Sequence, residues 1–124
     1  MPKKVDVKYL GIPNICFSLT RQDDHRETVF KKQRIERGFD DSETWSLFYT
    51  ITKFILPRLK CFREVYAGYP GSTTSEEWKS ILDKMIRAFE LVLRDNSKWM
   101  DEAEEKEYQE GMKLFSEWFR GLWW

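Results

Sequence analysis

Hydrophobic and polar positions follow the period of an α-helix along most of this chain. Apolar residues recur at three- and four-residue spacing over about residues 45–67, 74–94 and 101–122. That spacing places them on one face of a helix. Residues 22–37 carry a weaker version of the same pattern among many charges. The sequence therefore predicts a mainly α fold: a compact bundle of three to four helices, with residues 22–120 as the helical body.

The apolar positions of the second helical segment are expected to face the core, because a helix in a small domain buries its apolar side. They are Trp45, Leu47, Phe48, Ile51, Phe54, Ile55, Leu59, Phe62 and Val65. The third segment has the most regular stripe, and it is formed by Trp78, Ile81, Leu82, Met85, Ile86, Phe89, Val92 and Leu93. We expect these two stripes to form most of the interior.

Capping residues predict where the helices begin and end. Asp40, Asp41 or Ser42 can cap the start of the second segment. Asp40 and Glu43 have the spacing of a capping box, in which each side chain bonds the other residue's backbone amide. Thr74 and Glu77 repeat this spacing before the third segment. Gly38 follows the weak first segment, where a glycine favours the left-handed conformation that ends a helix. Three helix boundaries are thus predicted from local chemistry alone.

Two residues inside the predicted helices need a special reason to be there. Pro57 removes one backbone donor from the second segment, so we expect a kink or a break near residues 53–55. Gly111 costs its helix about 1 kcal/mol relative to alanine, unless another backbone comes close to it there. Gly68 is expected to stop the second helix before the Gly68-Tyr69-Pro70-Gly71 loop.

Residues 1–20 differ from the rest of the chain because their apolar residues alternate with polar ones. The alternating residues are Val5, Val7 and Tyr9 and, after a turn at residues 11–14, Ile15, Phe17 and Leu19. Alternation is typical of a half-buried strand. We expect either a short β-hairpin or an extended arm lying on the helices. In both cases residues 1–124 form a single domain.

Composition places the chain among soluble globular proteins. Hydrophobic residues make up 41% of the 124 residues, close to the globular average. No apolar run approaches the roughly 20 residues of a membrane-spanning helix. The N-terminus lacks the apolar core of a secretory signal, so we expect a cytoplasmic protein without a membrane partner.

Charge argues against bulk binding of nucleic acid. The formal net charge is zero, whereas non-specific binding depends on many phosphate contacts. The charge is unevenly spread, with 13 Lys and Arg against 9 Asp and Glu in residues 1–70, and 8 against 12 in residues 71–124. A basic face therefore stays open as a hypothesis, as does attraction between the two halves or between two copies.

The residues that usually carry catalysis or metal binding are sparse. The chain has one histidine, His25, and two cysteines, Cys16 and Cys61, whose separation fits no common zinc spacing. We expect no disulfide, no metal site and no cofactor. No nucleophile elbow, phosphate-binding loop or dinucleotide fingerprint occurs. The interpretation is a protein that is not an enzyme, with no catalytic residues assigned. A carboxylate-dependent hydrolase remains a remote alternative.

Basic and aromatic residues interleave in the middle of the chain. The candidate binding residues there are Trp45, Tyr49, Arg58, Lys60, Arg63, Tyr69 and Trp78. Such a mixture can stack on bases and hold phosphates. The competing interpretation is that Trp45 and Trp78 are core residues and that the basic residues form a solvated helix face. Tyr69 lies in a loop, where an aromatic ring is available for contact.

The C-terminus is unusually rich in aromatic residues, which a monomer rarely leaves exposed in one patch. We expect Trp118 and Phe119 to pack within the domain. Trp123 and Trp124 are predicted to contact a partner or a second copy of the chain. The pattern thus leaves both partner binding and a homo-oligomer open.

Several stretches resemble a family of small uncharacterised bacteriophage proteins. They are RGFDDSETWSL at residues 37–47, KFILPRL at 53–59, GYP at 68–70, EEW at 76–78 and LDKMI at 82–86. The similarity covers about residues 29–120. That family usually has an acidic residue at the position of Phe48, so any role of that carboxylate would be absent or displaced here. The resemblance implies a phage gene product working in the cytoplasm of an infected bacterium.

This implied origin favours a binding function. By analogy, small phage proteins without catalytic signatures commonly inhibit host proteins, sequester host signalling molecules or assist virion assembly. We expect a non-enzymatic phage accessory protein that binds and inhibits or masks a host protein, with defence proteins as one candidate class. The alternative is a sponge that sequesters a nucleotide-like signalling molecule. It would use Arg58, Lys60 or Arg63 on phosphates and Tyr69, Trp45 or Trp78 on bases.

Overall fold

The described part of the chain is helical. The computed structural model describes residues 17–20, 23–65, 68–94 and 99–123, and these contain no strand. The α-helices are α1 (Glu27–Arg37), α2 (Leu47–Val65), α3 (Ser75–Leu93) and α4 (Glu102–Trp118). Short 3-10 turns occupy Asp41–Thr44 and Phe119–Gly121. The predicted mainly α fold, a bundle of helices, is confirmed.

Most of the predicted arm or hairpin lies outside the described residues, because residues 1–16 are not among them. Its last four residues, 17–20, belong to neither a helix nor a strand. The chain divides into two compact units, Met1–Thr50 and Ile51–Trp124. α1 belongs to the first unit, α3 and α4 belong to the second, and α2 begins in the first and continues into the second. The single domain over residues 1–124 stays a prediction.

The first unit is organised by a buried polar network. Asp40, Ser42 and Glu43 are all buried. The Asp40 side chain accepts a hydrogen bond from the Ser42 amide at 2.8 Å, and Glu43 Oε2 accepts one from the Asp40 amide at 2.7 Å. Arg34 joins this network by donating to Asp40 and to Glu27. The predicted capping box is therefore confirmed, but it caps the 3-10 turn, and α2 begins only at Leu47.

The same network holds the segment that precedes α1. The Phe17 amide donates to Glu43 Oε1 at 2.6 Å, and the Leu19 amide donates to Ser42 Oγ at 2.9 Å. Thr20 Oγ1 donates to Glu27 Oε2 at 2.6 Å. Backbone amides that would otherwise lose their partners on burial are thereby satisfied.

Asp40 stays charged at the centre of this network. Burial by itself would raise the pKa of its carboxyl, but hydrogen bonds from Ser18, Ser42 and Arg34 outweigh burial and lower it. A buried carboxylate is tolerated only when it is paired and hydrogen-bonded in this way. The aspartate is therefore an anchor for Arg34 and for the turn that follows it.

In the second unit, α2, α3 and α4 close around one hydrophobic core. It consists of Leu56, Leu59, Trp78, Leu82, Met85, Ile86 and Phe89. α3 begins where predicted, because the Glu77 amide donates to Thr74 Oγ1 at 3.1 Å.

Gly38, in the first unit, likewise ends α1 in the predicted left-handed conformation, with φ at 86°.

α2 continues through Pro57, so of the kink or break predicted near residues 53–55 the break is wrong, and the kink stays a prediction. Leu56 and Leu59 lie on either side of the proline and are both buried in the core. Their packing holds the helix together across the missing amide. Pro57 itself is exposed, on the side of a helix where carbonyl groups can turn towards water.

α3 and α4 approach each other closely at Gly111, which is buried. A Cβ placed on this glycine would lie 2.3 Å from the Lys84 carbonyl oxygen and 2.5 Å from Ala88 Cβ. No side chain fits in that space. The close approach of another backbone is the reason that a glycine stands in the middle of α4.

We predict that Gly111→Ala destabilises the second unit. The new methyl group forces α4 away from the Lys84 carbonyl, and overpacking of this kind costs about 1–3 kcal/mol. This loss exceeds the roughly 1 kcal/mol that alanine returns through helix propensity. Urea unfolding followed by circular dichroism measures the change. Gly71→Ala is the control, because nothing lies within 4 Å of the position of its Cβ. Equal stability of both variants would contradict the prediction.

We also predict that Asp40→Asn loosens the first unit. Asparagine can still accept from the Ser42 amide, but it loses the charge-assisted bond from Arg34, worth about 1–3 kcal/mol. Hydrogen exchange should speed up at the Leu19 and Ser42 amides. Asp41→Asn is the matched control, because the pair of Asp41 with Arg37 is exposed and should change exchange much less. Faster exchange in the control alone would refute this role of Asp40.

Candidate interaction surfaces

At one end of the second unit, the loop before α3 meets the turn after α4. A Cβ placed on Gly121 would lie 3.6 Å from Pro70 Cγ and 3.6 Å from Trp78 Cη2. Beneath this contact, Trp78 is buried and meets Trp118 edge to face, with ring centroids 5.7 Å apart. Two segments far apart in sequence are thus seated on one aromatic base.

Three large aromatic side chains are exposed at this end: Tyr69 at 52%, Phe119 at 59% and Trp123 at 76%. We call these three residues the aromatic end. Tyr69 precedes Pro70, whose carbonyl accepts hydrogen bonds from the Thr73 amide at 2.9 Å and the Thr73 hydroxyl at 2.8 Å. The loop therefore has a defined turn. Rigid aromatic rings on an ordered support are typical of protein-binding surfaces.

The Phe119 ring is also held from below. Its centroid lies 5.4 Å from that of Phe115, and Phe115 lies 5.1 Å from the buried Phe89, both pairs in edge-to-face geometry. This series connects the surface to the core. Phe119 was expected to pack within the domain, and it does contact Phe115, but more than half of its surface remains exposed.

A second exposed surface runs along α2 within the second unit. Ile51, Phe54, Arg58, Cys61 and Val65 are separated by three or four residues, so they share one face of the helix, and all five are exposed. We call these five residues the α2 stripe. The core residues of the same helix lie on a different face. α2 thus has one apolar face inside and another outside.

Arg58 has a defined position in the α2 stripe. Its Nη1 donates to the Phe54 carbonyl at 2.8 Å, and its guanidinium carbon lies 4.0 Å from the centroid of the Phe54 ring. A cation over an aromatic face is attracted by the negative charge of that face. The arginine is therefore ordered before any partner arrives.

The other basic candidates on α2 form ion pairs with α3. Arg63 Nε lies 2.6 Å from Asp83 Oδ1, and Lys60 Nζ lies 3.6 Å from Glu90 Oε2. Both cations were predicted from the sequence to be phosphate ligands. To bind a phosphate, Arg63 and Lys60 would first have to give up their ion pairs with Asp83 and Glu90.

A charged groove of about 540 Å³ lies between α3 and α4, and ion pairs cross it. Lys84 Nζ lies 2.9 Å from Glu110 Oε1, and Arg87 Nε lies 2.8 Å from Glu107 Oε2. Its lining combines basic residues of α3 with acidic residues of both helices, so the groove presents no uniformly positive field to an anionic ligand. Its pairs instead connect the two helices.

Arg94 and Glu104 extend this series of ion pairs to the start of α4. Arg94 Nη2 donates to Glu104 Oε1 at 3.0 Å, and Nη1 donates to Oε2. Glu104 also closes the capping box with Asp101, whose side chain accepts from the Glu104 amide at 2.8 Å. The hydrogen bond from Arg94, and then that from the Asp101 amide, lower the pKa of Glu104 to about 2.

Two candidate residues, Trp45 and Tyr49, lie in the first unit. Trp45 is half exposed and meets the buried Phe30 edge to face at 5.9 Å. The Arg26 guanidinium lies 4.8 Å from its ring centroid. Tyr49 is half-buried, with its ring 5.4 Å from that of Phe48. Trp45 therefore packs locally on α1 while one side of it remains accessible.

The structure brings some of the sequence-predicted residues together and separates others. Tyr69 and Trp123 lie on the two segments that form the aromatic end, whereas Trp78 is only 1% exposed beneath it and cannot offer its ring to a ligand. Trp124 lies outside the described residues. Arg58, Lys60 and Arg63 are on α2, and only Arg58 belongs to the α2 stripe.

The α2 stripe was missed by the sequence analysis, which assigned Ile51, Phe54 and Val65 to the core. The signal was present in the sequence. At 100° per residue, these three positions fall within a narrow sector, whereas Leu56 and Leu59 fall in another. A helix with two apolar sectors cannot bury both in a three-helix unit.

Comparisons of the chain with protein-family models, curated proteins and solved structures each returned no match. Among the described helices, none is long and apolar enough to span a bilayer. The described residues also contain no group of three or more side chains that could hold a metal ion.

We predict that Glu104→Gln reduces the acid sensitivity of folding. The pKa of Glu104 is lowered in the folded chain to about 2 from the usual 4.5. Its pair with Arg94 therefore adds stability above about pH 4.5, and this is lost as the pH falls towards 2. A glutamine at position 104 can still complete the capping box with Asp101, but it does not titrate and so removes this dependence of stability on pH. Urea midpoints measured across this range should fall less steeply than in the unaltered chain.

The control for this measurement is Glu102→Gln, on the same turn of α4. Glu102 is almost fully exposed and makes only a 3.8 Å contact with Lys106. Its substitution should leave the slope against pH nearly unchanged. Parallel curves for Glu104→Gln and the unaltered chain would show that the Arg94 pair does not contribute.

Proposed function

We propose that this chain is a non-enzymatic phage protein that binds a host protein through the aromatic end and masks it. The carrying observation is that Tyr69, Phe119 and Trp123 are all exposed on the two segments that meet where Gly121 lies against Pro70. Tyrosine and tryptophan are enriched among the residues that dominate binding energy. The contact of Phe119 with Phe115 and the defined turn that follows Tyr69 limit the entropy lost when a partner arrives.

The surrounding charges favour a protein over a phosphorylated ligand. Arg63 and Lys60 have carboxylate partners on α3, and the groove between α3 and α4 is lined by both acidic and basic residues. A small-molecule sponge needs a concave site with converging polar groups. An exposed aromatic patch is better suited to a protein partner, because the partner can bury its apolar area. Binding a nucleotide would also require cations to neutralise the phosphates.

The identity of the partner class rests on the resemblance to small bacteriophage proteins. A phage product acts inside its host, so its partner is sought among host proteins, with defence proteins as the first class to test. Masking needs no chemistry from the chain itself. Masking requires only that the bound aromatic end covers a surface that the target needs for its own activity.

We predict that replacing all three residues of the aromatic end by alanine abolishes capture of the host partner. Removing residues of this kind typically weakens binding by about 2 kcal/mol or more each, although the losses are not additive. Tagged protein would be recovered from infected cells and its partners quantified by mass spectrometry. Trp99→Ala is the matched control, because Trp99 is 94% exposed but lies at the other end of the α3–α4 pair.

Three outcomes would overturn this proposal. The first is that no host protein is enriched over the triple variant. The second is that native mass spectrometry shows a retained nucleotide, which would support a sponge. The third is that the unaltered chain forms a dimer and the triple variant does not, since the aromatic end would then be occupied by a second copy.

A further inference from the structure

We infer that the α2 stripe is a second docking surface, and that it fits an amphipathic helix carrying a carboxylate in the middle of its apolar face. The stripe is formed by Ile51, Phe54, Arg58, Cys61 and Val65, all exposed on one face of α2. This surface is separate from the aromatic end, so the inference does not depend on the proposed function.

The length and spacing of the α2 stripe match another helix. Ile51 and Val65 are fourteen residues apart, which corresponds to roughly 21 Å along a helix axis. The intervening positions follow at three- and four-residue steps, the arrangement that packs ridges of one helix into grooves of another. Recognition of a helix through anchors at this spacing is a common binding mode.

Arg58 determines the chemistry of the partner. It lies at the centre of the stripe, with one N–H bonded to the Phe54 carbonyl and its guanidinium over the Phe54 ring. A guanidinium has five N–H groups arranged to hold a carboxylate with two parallel bonds. Surrounding apolar contacts would exclude water from that pair. A glutamate or aspartate opposite Arg58 therefore complements this surface.

A second copy of the chain fits this surface poorly. In a parallel pairing of two α2 stripes about a twofold axis, every residue faces its own counterpart. In an antiparallel pairing that overlaps the full length of both stripes, the central residues do the same. The central Arg58 would then face its own counterpart, because Ile51 and Val65 lie at equal distances on either side of it. Like charges placed together at an interface cost binding energy.

A membrane surface also fits less well than an acidic helix. Attraction to anionic lipids grows with the number of available cations. On α2, however, Lys60 and Arg63 are paired with Glu90 and Asp83. The α2 stripe presents one ordered arginine between apolar residues, which is better suited to a single carboxylate than to many headgroups.

The test uses two synthetic helical peptides of about 18 residues, long enough to cover the stripe. Both have apolar residues at three- and four-residue spacing. One has a central glutamate, and the other has a lysine there. Fluorescence anisotropy with the full chain should show the glutamate peptide binding about tenfold more tightly, equivalent to about 1.4 kcal/mol.

Charge exchange provides the decisive comparison. Arg58→Glu should reverse the preference in favour of the lysine peptide, and Arg58→Gln should remove the preference. Lys79→Glu is the matched control, because it makes the same charge change at an exposed position of α3 and should leave the order unchanged. Phe54→Ser should weaken both peptides. Circular dichroism checks that each variant is folded.

Several results would overturn the inference. They are binding of neither peptide, equal binding of both peptides, or a preference that Arg58→Glu and Lys79→Glu alter equally. Self-association of the chain that Phe54→Ser abolishes would assign the surface to a second copy. Binding to vesicles of anionic phospholipid that Arg58→Gln abolishes would assign it to a membrane.

The two surfaces can be tested separately. The triple alanine variant of the aromatic end should bind the glutamate peptide as the unaltered chain does. Conversely, Phe54→Ser should still capture a host protein held by the aromatic end. Failure of one set of measurements therefore leaves the other interpretable.

Discussion

The contact between Gly111 and the Lys84 carbonyl sets the distance between α3 and α4, and most of the second unit depends on that distance. At this spacing, side chains flanking the crossing reach their partners across the two helices, including Lys84 with Glu110 and Arg87 with Glu107. Exposed pairs of this kind add little energy individually. They align helices that the glycine allows to come close.

The same spacing supports the aromatic end. Trp118, at the end of α4, reaches Trp78 near the start of α3, and the turn that follows places Gly121 against Pro70. A wider separation of the helices would withdraw Trp118 from its partner. The position of Trp118, on which the aromatic end rests, is therefore a consequence of close packing at Gly111, about two turns earlier in α4.

Local chemistry allowed several features to be predicted from the sequence. Gly38 and Thr74 end and begin their helices because each acts on amides or carbonyls within four residues. The box of Asp40 and Glu43 was also predicted, but its helix was misjudged. A capping box satisfies only the amides of the first turn, and here that turn is a 3-10 turn that ends before α2.

Features that depend on distant residues were harder to predict. Periodicity shows that α2 has apolar faces, but the choice of the buried face is made by α3 and α4. The aromatic end required the meeting of Pro70 with Gly121, and no local pattern records that contact. Three residues of the RGFDDSETWSL stretch at residues 37–47 have a structural role that the sequence did not reveal. Asp40, Ser42 and Glu43 are buried hydrogen-bonding residues of the first unit.

The two surfaces of the second unit differ in what they can contribute to binding. The aromatic end offers apolar area, which provides affinity but little discrimination, whereas an ordered arginine such as Arg58 selects for an opposite charge. The chain connects them closely, because Val65 and Tyr69 are four residues apart and cannot be separated by more than about 14 Å. A single protein partner with a projecting acidic helix can therefore reach both. In that arrangement the aromatic rings would hold the partner, while the carboxylate opposite Arg58 would fix its orientation.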